Sequence, residues 1–150
     1  MPNLKWSKLT PLQLGRYAEY YAKMEFASYG FEVYTSEVDD HGVDFVAKKA
    51  GGRFYEIQVK SRQECKQHII IEKSKMDVSD ESRFVCVLLF GEDRFPDVYI
   101  IPATAWLEFN YAFGASYAFK GKKPVWRLAL SKKSRPILDG YRIETYIDRL

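Results

Sequence analysis

The chain has 150 residues, of which 47% are hydrophobic, 16% aromatic and 29% charged, a balance that suits one folded domain over 1–150 and excludes a disordered polypeptide. No apolar run approaches the ~18–20 residues of a membrane span; the strongest, residues 84–90, is strand-sized. The first five residues, Met1-Pro2-Asn3-Leu4-Lys5, lack the apolar core of a secretory signal. Two cysteines, Cys65 and Cys86, are too few for a disulfide framework and lack the CxxC spacing of zinc sites. The expected setting is cytoplasmic and reduced.

The net charge of +3 is unevenly spread. Residues 1–100 carry 14 basic and 16 acidic side chains, and residues 101–150 carry 9 and 4. Lys120, Lys122, Lys123, Arg127, Lys132, Lys133 and Arg135 follow one another with no acid between them. Such a segment either attracts phosphate, with a salt-dependent contribution, or keeps a solvated loop soluble.

Thr10-Pro11-Leu12-Gln13 has the features of a helix start: a capping threonine, a proline in the first turn and a glutamine at the capping-box position. The helix is predicted to run to about Tyr29, with Gly30 as its left-handed stop. Leu12, Gly15, Ala22, Phe26 and Tyr29 are its predicted apolar face. Strands are predicted over 31–37, 43–49 and 53–62, the last two joined as a hairpin through Ala50-Gly51-Gly52. A further strand is expected at 69–72. The almost wholly apolar stretch 84–90 reads as a central strand covered on both faces. A strand at 98–101 and a short helix over 102–106 follow. Beyond Tyr111 the pattern weakens, leaving a strand at 126–130 and a closing helix at 141–150.

The chemistry-bearing residues lie on the hairpin. Along 53–62, Glu56, Gln58, Lys60 and Arg62 share one strand face, and Tyr55, Ile57, Val59 and Ser61 the other. Asp44 interrupts the apolar run Gly42-Val43-Asp44-Phe45-Val46, and hairpin pairing sets it near Gln58–Lys60. A carboxylate, an amide oxygen and an ammonium brought together suit a hard cation and an activated water. Glu19 lies within the stripe of the first helix, where a carboxylate is costly to bury; a surface pair with Lys23 would also account for it. Asp39-Asp40-His41-Gly42 reads as a polar turn into the strand.

Gly42-Val43-Asp44-Phe45-Val46 followed by Glu56-Ile57-Gln58-Val59-Lys60-Ser61 resembles the PD-(D/E)XK nuclease superfamily, which includes restriction endonucleases, Holliday junction resolvases and some homing endonucleases. The resemblance carries motifs over residues 10–62 and element order to about residue 106, so 10–106 is the expected core and 107–150 a basic C-terminal extension. It implies an α/β fold of restriction-endonuclease type, a mixed central sheet flanked by helices. Asp44 matches the superfamily's aspartate, Lys60 its lysine and Glu19 the glutamate of its first helix. Gln58 stands where a carboxylate is usual, a D…QxK variant, with Glu56 as the nearest compensating carboxylate.

The implied activity is Mg2+-dependent DNA hydrolysis, with Mn2+ able to substitute. Asp44, the Gln58 oxygen and the Val59 backbone carbonyl would hold the cation. Lys60 would orient water, Glu19 would fix a metal or water, and the basic run from Lys120 to Arg135 would track DNA. A homodimer or higher oligomer is expected, because one site cuts one strand, and nucleoid association if the source is prokaryotic. Gln58 also motivates a second expectation, a catalytically inactive nuclease fold that binds DNA or serves assembly.

Overall fold

The computed structural model describes residues 1–37, 41–117 and 120–150. Asp39 and Asp40, read above as part of a polar turn, lie outside the described residues.

The first helix, α1, spans Pro11–Ser28. Its capping box forms as the sequence dictates: Thr10 Oγ1 accepts the Gln13 N–H at 3.1 Å and Gln13 Oε1 accepts the Thr10 N–H at 2.9 Å. Gly30 stops it at φ +89°. The buried face differs from expectation. Leu14, Ala18, Ala22 and Phe26 form it, while Leu12 is 81% exposed and Tyr29 lies at the surface. Strict four-residue steps with two alanines let the helix approach the sheet closely; the predicted set mixed residues from two faces of this tyrosine-rich helix.

Five strands form the central sheet: β1 Glu32–Thr35, β2 Phe45–Lys48, β3 Phe54–Gln63, β5 Arg83–Phe90 and β6 Asp97–Pro102, in the order β1-β2-β3-β5-β6. The pair β3–β5 is parallel and its neighbours are antiparallel, so the sheet is mixed. Every residue of β5 is buried, as its unbroken apolar run requires of a strand covered on both faces.

The strand at 69–72 lengthens to β4, His68–Glu72, and leaves the central sheet for a second one. There it pairs with β8, Val125–Ala129, which pairs in turn with β7, Phe113–Ser116. The predicted strand at 126–130 is thus β8, one residue earlier. Both β7 and the short helix α2, Arg135–Asp139, lie where no pattern was legible. The helix expected over 102–106 is a 3-10 turn at Ala103–Leu107. The closing helix is shorter than predicted: α3 covers Ile143–Tyr146 and a 3-10 turn follows over Ile147–Arg149.

Two apolar layers result. Against one face of the central sheet, α1 packs Leu14, Ala18, Ala22 and Phe26 onto Phe45, Ile57, Cys86 and Leu88, with Ile143 and Ile147 beside them. Against the other, the second sheet packs Ile69, Ile71, Phe113 and Leu128 onto Val85, Val87, Leu89 and Ile101. Among the described residues no helix is long and apolar enough to cross a membrane.

Candidate active site

The glycine turn after Ala50 sets the hairpin register at Phe45↔Ile57. β2 begins at Phe45, whereas β3 continues for six residues past Ile57, paired from there, among the described residues, only with β5. The β2 side of β3 therefore opens into a notch. Asp44 stands at its corner. Its backbone N–H donates to the Ile57 carbonyl at 2.9 Å, and its Oδ2 accepts the Val59 N–H at 2.7 Å. The carboxylate thus takes a ladder position just before Phe45, the first residue of β2. Within a strand the N–H and C=O of one residue point to the same edge, so the Val59 carbonyl also opens on the notch.

Strand alternation carries Gln58 and Lys60 to the face opposite Ile57 and Val59. Gln58 is buried and Lys60 half-buried. Gln58 Oε1 accepts from Arg83 Nη2 at 3.2 Å. Arg83, the first residue of β5, is buried, and sequence reasoning missed it. Its Nη2 also lies 3.0 Å from the His41 carbonyl, 3.0 Å from that of Gly42 and 2.8 Å from that of Lys75. Glu56, directly across the ladder, brings Oε2 within 3.7 Å of Nη1. Glu56 is thus drawn to the arginine, two residues along β3 from Gln58. The legible signal was a single arginine abutting a seven-residue apolar run.

Gly42 closes the arrangement. It has φ +72°, and a Cβ there would stand 3.0 Å from Gln58 Nε2 and 3.1 Å from Arg83 Nη2. Only glycine combines that backbone with so close an approach. Beneath the corner lies Cys86, whose thiol is pushed far up by burial, with the Glu25 and Asp44 carboxylates adding to the rise.

Glu19 sits on α1, which runs antiparallel to β3: Leu14 shares a groove with Ser61, Arg62 and Gln63, and the Phe26 ring is 5.4 Å from that of Phe45. At about 1.5 Å per helical and 3.3 Å per strand residue, Glu19 comes level with Val59 and Lys60. Its carboxylate is half-buried, 3.9 Å from Arg16 Nη1. Lys23, the expected helix-surface partner, instead lies over the Tyr20 ring at 5.7 Å.

The basic run is divided by β8. Lys120, Lys122 and Lys123 are exposed between β7 and β8, beside the site: Lys123 Nζ is 3.8 Å from Glu72, and the Lys73 N–H donates to the Pro124 carbonyl at 3.0 Å. Lys73 opens the turn Lys73–Lys75, whose last carbonyl binds Arg83. The Lys73 ammonium lies over the rings of Trp126 at 4.4 Å and Tyr117 at 4.8 Å. Arg127 is exposed on the outer face of the second sheet. Lys132, Lys133 and Arg135 follow at the far end, about 13 Å along β8, where Lys133 lies over the Tyr111 ring at 5.2 Å.

As a metal site, the notch offers one carboxylate, from Asp44, with the Val59 carbonyl and the Gln58 amide oxygen. Among the described residues no cluster of three or more His, Cys, Asp or Glu side chains gathers as a cation cage. The donor set fits a magnesium ion that keeps several waters and completes its shell with substrate phosphate oxygens.

No family model and no curated protein matches the sequence. Among solved structures, a bacterial homing endonuclease superposes with a TM-score of 0.55 at 16% identity, covering 93% of this chain and 91% of its own. The Holliday junction resolvase Hjc of Archaeoglobus fulgidus superposes with a TM-score of 0.52 at 13% identity, covering 79% of this chain and 91% of its own. At these identities the likeness concerns the fold. With the mixed central sheet and the helices beside it, it shows that the chain has a restriction-endonuclease-like fold.

Proposed function

We propose that the protein is a metal-dependent DNA endonuclease that hydrolyses phosphodiester bonds with Mg2+, Mn2+ being able to substitute. The observation that carries this reading is the Asp44 carboxylate on the Val59 N–H at the mouth of the notch, next to Gln58 and Lys60 and within a nuclease fold. Asp44, the Val59 carbonyl and the Gln58 oxygen are the groups that would hold the ion. When bound, the ion supplies charge stabilisation at the phosphate and lowers the pKa of water.

The remaining work falls to the chain. Lys60 presents an ammonium on the Gln58 face, one residue beyond Val59, and holds the attacking oxygen or a phosphate oxygen in line. Glu19, level with it, orients water from the α1 side. The lysines at 120, 122 and 123 hold the DNA backbone beside the notch, with Arg127, Lys132, Lys133 and Arg135 extending the track over the second sheet. A site of this kind cuts one strand, so cutting of both takes a homodimer or higher assembly. Asp44→Ala is expected to abolish cleavage while circular dichroism stays unchanged; cleavage that survives it overturns the reading.

One observation favours the second reading, a DNA-binding module without catalysis: the Gln58 oxygen already accepts from a buried arginine. That reading predicts salt-sensitive DNA binding that neither Mg2+ nor Asp44→Ala alters.

A further inference from the structure

Among the described residues, the buried polar side chains are Gln58, Arg83 and Ser134, and the first two bind each other. Arg83 is 4% exposed and lies beside Gln58, under the notch. Its Nη2 has four oxygens within reach and two protons to share among them, three backbone carbonyls and Gln58 Oε1. Two of those carbonyls, His41 and Gly42, lead into Asp44. One guanidinium therefore ties the approach to Asp44, the side chain of Gln58 and the turn carrying Lys73 and Lys75 into one unit.

The charge has a second consequence. A carboxylate at position 58 would meet the guanidinium where the amide oxygen now sits. It would add the attraction of opposite charges to the bond that the amide already accepts, and the pair would be shielded from water by the surrounding sheet. The carboxylate would be held inward, toward β5, and would give little to a cation at the β3 edge. A neutral amide accepts the N–H and keeps a second lone pair. We propose that Arg83 is a positioning residue of the site and that its buried charge is the reason position 58 carries glutamine rather than a carboxylate. This inference rests on the nuclease reading above.

The test compares wild type, Gln58→Glu and the double variant Gln58→Glu/Arg83→Met. Mn2+ binding is measured by paramagnetic resonance without DNA, with plasmid nicking and thermal unfolding in parallel. Gln58→Glu is expected to bind Mn2+ within about threefold of wild type, because Arg83 captures the new carboxylate. Removing the guanidinium as well releases that carboxylate, and binding tightens about tenfold over the single variant, the size of one coupled charged hydrogen bond. A tenfold gain from Gln58→Glu alone overturns the proposal, and this arm decides even where the double variant does not fold. A wild type that neither binds Mn2+ nor nicks DNA overturns the nuclease reading and, with it, this inference.

Discussion

The two sheets solve opposite problems. The central one is covered on both faces along β5, by α1 and by the second sheet, so a polar side chain buried there must be fixed by a partner. Gln58 Oε1 accepts from Arg83 there, and Asp44 accepts the Val59 N–H. The second sheet buries Ile69, Ile71 and Leu128 on its inner face, against the central sheet, and leaves His68, Ile70 and Arg127 exposed on the other. Near one end of that face a groove of about 500 Å3 is lined by Gln67, His68, Tyr111, Arg127 and Ser131, with no acid among the described residues of its lining. Polar groups locked in position suit chemistry, and polar groups left in water suit contact. The proposed division of labour follows from burial.

The largest effect expected from breaking this contrast is at the notch. Lys60→Ala should lower single-turnover cleavage by about 10²–10⁴-fold, whereas Arg127→Ala on the outer face should leave the rate at saturating DNA unchanged. Stability should separate the sheets as well. Arg83→Met strands several buried acceptors and should cost about 2–4 kcal/mol in urea unfolding, against about 0.5 kcal/mol or less for the exposed Arg127→Met.

DNA affinity sharpens the contrast within the basic run. Replacing Lys120, Lys122 and Lys123 with alanine should flatten the dependence of log binding constant on log salt by about 0.9 for each phosphate no longer neutralised, and should do so more than replacing Lys132, Lys133 and Arg135. Equal effects from the two ends would mean that DNA lies along the whole of β8.

Smaller still is the pH response of α1. Burial, with Glu144 nearby, raises the Glu25 carboxyl above its usual range. A carboxyl raised on folding holds its proton more tightly in the native state, so its contribution to stability should fall as pH rises from the unfolded value through the folded one. Glu25→Gln should remove that slope from thermal unfolding curves recorded between pH 4 and 7.

The grouping of Asp44 with Gln58 and Lys60 was legible because it is local. A glycine turn and two-residue alternation suffice to bring Asp44 to Gln58 and Lys60. Arg83 was not, since 25 residues separate it from Gln58 and a parallel pairing with a crossover brings them together; in the sequence it only borders an apolar run. β7 was hidden for another reason. Gly114-Ala115-Ser116 has neither branched nor aromatic side chains to mark a strand, and its place comes from pairing with β8. The face of α1 was misread because tyrosines around the helix blur its stripe, and the alanines that allow close packing carry little signal.

The most direct test of the central claim is the nicking of supercoiled plasmid and a branched junction by wild type and Lys60→Ala, with Mg2+, with Mn2+ and with chelator. The account predicts metal-dependent nicking that the variant lacks while its DNA binding persists. Metal-independent binding by both proteins, with no cutting under any condition, would contradict it.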